Sequence, residues 1–161
     1  AIHLPGHTGG HMGYLANGVC FLGDALATEA ELTHAIPYVY SISLKLQSLE
    51  RMSRLDCSWY VPAHSEPRQE IASLIQKNRE NLERTLRLVR EAVAQGPADA
   101  SEIMQFVCRA VGAFPQKITD FFLVQPTIYS HISHLHNTGE LGFSLHQGKL
   151  LWHLTDKAQP S

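Results

Sequence analysis

Three histidines and four glycines fall within the eleven residues HLPGHTGGHMG, positions 3 to 13. Imidazole is the commonest metal ligand in proteins, and glycine lets a backbone curl closely around an ion. Two more donors follow short apolar runs: Asp24 in LGDAL and His64 in VPAHSEP. Imidazole and carboxylate together suit zinc, with iron and manganese as alternatives. His7, Asp24 and His64 are therefore the candidate metal ligands.

The turn at Asn17-Gly18 determines which of these donors can meet. An Asn-Gly pair between strand-like residues predicts a type I′ hairpin, because both turn residues need a positive φ. In that register Asp24 lies directly across from His11. His7 is further back, and the glycines on both sides of it let the chain fold toward Asp24. His11 is then either a direct ligand or a neighbour that supports a ligand.

Other residues near the motif have smaller predicted roles. Thr8 is expected to cap the turn with its hydroxyl group and so to support the site. His3 has no assigned role. A second group of histidines, His131, His134 and His136, is predicted to lie on a solvated helix face rather than at a metal site.

The first part of the chain is predicted to be mixed α/β structure. Hairpin strands lie near residues 11–16 and 19–23, and YSISLKLQSLERMSRL has the apolar spacing of an amphipathic helix. CSWYVPAH is typical of a short strand ended by Pro62. A long helix is expected to begin at Pro67 and to end before Gly96-Pro97.

The second part has a different pattern. The sequence DASE predicts a capping box that starts a helix at Asp99, and another helix is expected near 125–137. Two short strands follow about Gln147-Gly148. Two helices followed by a hairpin predict a winged-helix module. The expected domains are residues 1–95 and 96–161.

The series PGHT, GD and PAH resembles the second half of the metallo-β-lactamase fold superfamily. The resemblance covers nearly the whole chain, and it is closest to members with a C-terminal winged-helix domain, such as lactamase-β-like endoribonucleases and glyoxalase II-like hydrolases. It implies half of an αββα fold followed by a small winged-helix domain. It also implies that His7 binds a first zinc ion, that His64 binds a second, and that Asp24 bridges the two.

The chain departs from this family in two places. It has PAHS where the family usually has PGHG, and it lacks the HxHxDH motif, which in the family supplies the other metal ligands and a catalytic aspartate. A zinc site needs about four donors, so three residues shared by two ions leave each ion incomplete. We therefore expect a fragment that is inactive alone. Its uncovered sheet face would pair with a missing N-terminal half or with a second copy in a homo-oligomer.

The composition argues against several other classes of protein. The net charge is −2, so no basic field attracts nucleic acid. Residues 124–138, the predicted recognition helix, contain no Lys or Arg to contact phosphates. There is no apolar run of about 18 residues, so no membrane span is expected. Three cysteines without a CxxC pair indicate reduced thiols and predict a cytoplasmic protein.

The sequence therefore predicts a metal-dependent hydrolase that acts on a small-molecule substrate, an ester or thioester. No catalytic residue is assigned, because the pattern names metal ligands only. The alternative is nucleic-acid processing, as in an endoribonuclease, or nucleic-acid binding through the winged helix. The neutral recognition helix disfavours that alternative.

Overall fold

The computed structural model describes residues 1–156, so the end of the predicted 96–161 domain lies outside the described residues. The chain forms two compact units, Ala1–Leu82 and Glu83–Ser161. It passes from one unit to the other inside a long helix, and the domain boundary after residue 95 stays a prediction. Within the described residues, no helix is both long and apolar enough to cross a membrane.

The first unit is a four-stranded sheet with helices. Its strands are β1 (Ile2–His3), β2 (Met12–Ala16), β3 (Val19–Gly23) and β4 (Trp59–Pro62), and its helices are α1 (Glu29–Leu32), α2 (Ile42–Met52) and the first part of α3 (Ala72–Ala94). The strands lie in the order β1-β2-β3-β4. The first three are antiparallel, whereas β3 and β4 are parallel. The parallel pair places the ends of β3 and β4 at one edge of the sheet.

The predicted hairpin is confirmed in both its turn and its register. Asn17 and Gly18 have φ values of 48° and 77°, as a type I′ turn requires. Tyr14 pairs with Phe21, and Ala16 pairs with Val19. If the same register continues beyond Tyr14 and Phe21, the start of β2 lies beside the end of β3.

One face of this sheet is buried and the other is exposed. Cys20, Leu22 and Tyr60 are buried. Phe21 and Trp59, which alternate with them along the strands, are 45% and 42% exposed. The alternation follows from the period of two in a strand. The first unit therefore presents an uncovered apolar sheet face.

Helix α3 begins at Ala72 rather than at Pro67, where the sequence predicted its start. The reason is a pair of backbone hydrogen bonds: Tyr60 N–H donates to Arg68 O at 2.7 Å, and Arg68 N–H donates to Tyr60 O at 2.8 Å. These bonds keep the segment after Pro67 extended beside β4. The helix starts only after this pairing ends.

The second unit contains the rest of α3, then α4 (Ala100–Ala110), α5 (Ile118–Asn137), β5 (Leu141–His146) and β6 (Lys149–Leu154). The capping box at Asp99 is confirmed, since its side chain accepts hydrogen bonds from Ser101 N–H and Glu102 N–H. The hairpin of β5 and β6 turns at Gln147 and Gly148, both with positive φ.

Helix α5 differs from its prediction in two respects. It begins at Ile118, before the predicted 125–137 segment, and it includes Pro126 in its interior. His131 is buried, with 2% of its surface exposed, so the prediction of a solvated face is wrong for this residue. Its neighbours Ile128 and Ile132 are buried as well, and His131 therefore belongs to the apolar side of the helix.

Candidate metal centre

The candidate ligands meet at one edge of the first unit's sheet. Asp24 directly follows β3, and His64 lies two positions after β4. Parallel strands end at the same edge, where α/β sheets bind their ligands. His7 lies in the loop between β1 and β2, and the antiparallel pairing of β2 with β3 brings that loop to the same edge.

The carboxylate of Asp24 lies between two imidazoles. Its Oδ2 is 4.0 Å from Nε2 of His7, and its Oδ1 is 3.5 Å from Nε2 of His64. Two atoms that bind one ion at about 2.1 Å lie roughly 3 to 4 Å apart, so these spacings fit ligands around a cation. Each oxygen of Asp24 faces a different histidine. The donor set and its geometry thus fit a metal centre.

The loop after β4 is held in an unusual conformation that presents His64. The N–H of Ala63 donates to the carbonyl of Gly23 at 2.9 Å, which ties this loop to the end of β3. His64 itself has a φ of 58°, in the left-handed region that few non-glycine residues adopt. Such outliers concentrate at functional sites. The side chain of His64 is 73% exposed.

His7 is enclosed more than His64. Its ring contacts His11 and Tyr38 edge to face, with centroid distances of 6.1 and 5.4 Å. Burial lowers the pKa of His7 below its usual value. This effect is larger than that of the Asp24 carboxylate, which raises the pKa. Because a metal binds the neutral imidazole, the lowered pKa favours the form that can act as a ligand.

His11 lies beside the site and contacts the backbone. Its Nε2 is 3.0 Å from the carbonyl oxygen of Leu22. The ring also fills the space next to Gly23, where a Cβ would lie 3.0 Å from its Cε1. His11 therefore lies at the end of β3, beside the two residues that precede Asp24. Its role as a supporting residue stays a prediction.

Thr8 and His3 belong to the loop around His7. Thr8 is exposed, and its carbonyl accepts a hydrogen bond from Gly6 N–H at 3.0 Å. A role of its hydroxyl in the site stays a prediction. Nε2 of His3 lies 3.1 Å from the carbonyl oxygen of Gly9, so His3 links the two ends of the loop that contains His7.

Lys45, which no sequence pattern assigned to the site, lies against the loop that carries Asp24. Its side chain is 4% exposed, and its ammonium donates to the carbonyls of Ala25 at 2.7 Å and Asp24 at 3.4 Å. Burial lowers the pKa of Lys45 to about 8, against the opposing effects of Glu31 and Asp24. The apolar stripe of α2 passes through this position, three residues after Ile42, and that periodicity was the available signal.

Glu31 is the second residue that was missed. Ligand atoms of Asp24, Glu31 and His64 all lie within 4.8 Å of one another. Glu31 is the third helical residue of α1, and its carboxylate forms a capping box with Thr28. The spacing Thr-x-x-Glu is the sequence signature of that motif, so the helix start could have been predicted although its position at the site could not.

Comparisons with known proteins agree with this geometry. The family model of the metallo-beta-lactamase superfamily matches residues 1–64, the segment that contains all three candidate ligands. A search of curated proteins gave no match.

Two solved structures have a similar fold. A metallo-beta-lactamase family protein from Thermus thermophilus is 20% identical, with a TM-score of 0.73, over 95% of this chain and 48% of its own. A beta-lactamase domain protein from Burkholderia ambifaria is 22% identical, with a TM-score of 0.75, over 94% of this chain and 46% of its own. The chain therefore spans about half the length of these structures. Residues 1–64 of this chain are therefore similar to the metallo-beta-lactamase superfamily.

Proposed function

We propose that this chain supplies part of the metal centre of a hydrolase that cleaves a small ester or thioester. His7, Asp24 and His64 are the proposed ligands, and His11 and Thr8 support them. The observation that carries the proposal is the position of Asp24, whose two oxygens face the two imidazoles at 4.0 and 3.5 Å. A carboxylate so placed suits the bridge between two metal positions.

Zinc is the metal that we propose, two ions in the complete site, with iron and manganese as alternatives. When bound, such an ion polarises a carbonyl oxygen and activates water. His7 offers a neutral nitrogen because burial lowers its pKa. Asp24 contributes negative charge to both positions, and the carbonyl of Gly23, bonded to Ala63 N–H, holds the His64 loop against the end of β3.

We also propose that another layer covers the exposed sheet face of Tyr14, Phe21 and Trp59. That layer is either the other half of the protein or a second copy of this chain. Tyr14, Phe21 and Trp59 are 57%, 45% and 42% exposed, and apolar patches of this kind mark interfaces. Since the matched structures are about twice as long, further ligands would come from the covering layer. The chain alone would then bind metal without hydrolysing substrate.

For the second unit, we propose a winged-helix module of residues 96–161. The support is the order of its elements: α4, α5 and then the hairpin of β5 and β6. Nucleic-acid binding, the alternative function, gains no support from this unit, because α5 contains no Lys or Arg from Ile118 to Asn137. Strong salt-dependent binding of RNA would reverse this ranking.

Metal binding by the chain itself is the first test. We expect purified, metal-stripped chain to take up Zn²⁺ in equilibrium dialysis. Asp24→Asn should weaken this uptake by about a hundredfold, because it removes the anionic carboxylate between the two imidazoles. Asp56→Asn, an exposed aspartate outside the site, is the matched control and should bind as the wild type does. An unaltered affinity in Asp24→Asn would contradict the proposal.

Catalysis requires the complete protein. We expect the zinc-loaded full-length protein to hydrolyse members of a panel of chromogenic esters and thioesters, and the same protein with Asp24→Asn to lose that activity. Hydrolysis that survives both metal chelation and Asp24→Asn would rule out the metal-dependent mechanism.

A further inference from the structure

Glu31 brings a second carboxylate to the candidate metal centre. One ligand atom from each of Asp24, Glu31 and His64 falls in a cluster whose members lie within 4.8 Å of one another. Atoms that share one ion at about 2.1 Å have spacings up to roughly 4 Å, so a small adjustment closes the set around a cation. We propose that Glu31 is a further ligand of the ion held by Asp24 and His64, an inference that rests on the proposed function.

The start of helix α1 orients the carboxylate of Glu31. Its Oε2 accepts hydrogen bonds from the N–H and the hydroxyl of Thr28, each at 2.8 Å. Thr28 is buried, whereas Glu31 is half-buried, so the cap holds the carboxylate from its inner side. The cap does not use Oε1, and we assign that oxygen to the ion. One carboxylate thus serves both the helix and the metal.

The segment between the two carboxylates is held on two sides. The ammonium of Lys45 donates to Ala25 O at 2.7 Å. The amide of Asn78 pairs with the backbone of Ala27, accepting from its N–H at 3.1 Å and donating to its carbonyl at 2.8 Å. Lys45 and Asn78 are both buried. These contacts fix the spacing of the carboxylates, as a preorganised metal site requires.

The charge at this point also favours a bound cation. Two carboxylates so close repel each other unless a positive charge lies between them. Lys45 is buried and directs its ammonium to the backbone carbonyls of Asp24 and Ala25. The ammonium of Lys45 thus donates to backbone carbonyls rather than to the side chains of Asp24 and Glu31. A divalent cation bound between the two carboxylates would offset their repulsion.

The other glutamate of α1 has different partners. Glu29 forms a bidentate salt bridge with Arg68, with contacts of 3.0 and 2.7 Å, and lies 3.5 Å from Lys77. It is in the same helical turn as Glu31 and carries the same charge, yet it is not a member of the metal-binding cluster. Glu29 is therefore a matched control for Glu31.

Glu31→Gln separates the two roles of the side chain, because glutamine also forms a capping box but has no anionic oxygen. We would titrate metal-free chain with Zn²⁺ and with Mn²⁺ by calorimetry, for the wild type, Glu31→Gln and Glu29→Gln. The expected result is a Kd about tenfold or more weaker in Glu31→Gln, and a Kd within about twofold of wild type in Glu29→Gln.

The outcomes distinguish this inference from the proposed function. Metal binding by the wild type with an unchanged Kd in Glu31→Gln overturns the role of Glu31 and leaves the proposed function in place. A wild type that binds neither ion overturns both. Metal-free Glu31→Gln should unfold at or above the wild-type Tm, since one charge of the repelling pair is gone.

A lower Tm in Glu31→Gln would call for Glu31→Asp, which keeps the charge but withdraws the oxygen by one methylene. A Kd in Glu31→Asp equal to that of the wild type would show that charge alone matters and would overturn ligation by Glu31. A Kd about tenfold weaker would support it, because the oxygen would no longer reach the ion.

Discussion

Gly6 lies so close to the backbone of Lys45 that a Cβ on Gly6 would stand 2.5 Å from the Lys45 Cα. Its backbone φ of 134° is also one that residues other than glycine rarely adopt. From the same helix, the side chain of Lys45 reaches the carbonyl of Ala25. Helix α2 therefore holds both the loop that carries His7 and the loop that carries Asp24.

Replacing Gly6 with alanine should destabilise the first unit. The added Cβ meets backbone atoms that cannot move aside, and the positive φ adds strain, so we expect Gly6→Ala to lose about 2 kcal/mol or more of unfolding free energy. Urea denaturation measures this loss. Gly10→Ala is the control, since a Cβ there meets nothing within 4 Å, and it should change stability by less than about 0.5 kcal/mol. Equal effects in the two variants would contradict the packing argument.

The parts of this site that could be predicted from the sequence are the local ones. Asn17-Gly18 determines a turn through its own backbone preferences, and the turn then sets the register of β2 against β3. That register brings His11 to the end of β3, against Leu22 and Gly23. The motif containing His7 likewise lies within a few residues of β2. Each of these relations spans a short stretch of chain.

The residues that were missed depend on tertiary packing. Lys45 is a charged side chain at a position of the buried stripe, and only the loop after β3 supplies the carbonyls that accept its hydrogen bonds. Glu31 reaches the site because Asn78, far along the chain, holds Ala27 in place. The periodicity of α2 predicts that position 45 is buried, but neither contact leaves a signal of its own in the sequence. A single sequence therefore shows the ligands in the motif and not the residues that surround them.

The exposed face of the first unit's sheet predicts self-association of the isolated chain. Tyr14 and Phe21 are paired across β2 and β3 and are 57% and 45% exposed. Burying such side chains against a partner gains about 1.5–3 kcal/mol each, so the Tyr14→Ser/Phe21→Ser double variant should weaken self-association by about tenfold or more. Analytical ultracentrifugation over a range of concentrations measures the effect.

The control for this experiment lies in the second unit. Leu145 is 75% exposed on the β5–β6 hairpin, and Leu145→Ser removes apolar surface from the second unit only. It should leave self-association unchanged. A monomeric wild type at high concentration, or an equal effect of Leu145→Ser, would count against the sheet face as the interface.

The thiols should differ in their reactivity. Burial raises the pKa of Cys20 to about 11, assisted by a hydrogen bond with Cys57, and burial also raises the pKa of Cys108. Since the thiolate is the reactive form, both buried cysteines stay protonated and inert near neutral pH. Iodoacetamide should therefore modify the partly exposed Cys57 first, as peptide mass spectrometry of the native chain would show. Modification of Cys20 or Cys108 at the same rate would contradict the burial argument.

His131 should make the stability of the chain depend on pH. Burial lowers its pKa from 6.5 to about 4, Nδ1 lies 2.7 Å from the carbonyl of Thr127, and Nε2 has no hydrogen-bond partner within the described residues. The folded pKa is below the unfolded one, so the contribution to stability is complete above pH 6.5 and is lost as the pH falls toward 4. As the pH falls from 7 to 4.5, the wild type loses this contribution and His131→Leu does not. The unfolding free energy of the variant minus that of the wild type should therefore rise by about 2 kcal/mol over this range. Urea denaturation at both pH values measures the gain, with the exposed His146→Leu as control. A difference between wild type and His131→Leu that stays constant with pH would show that His131 takes up a proton as readily in the folded chain as in the unfolded one.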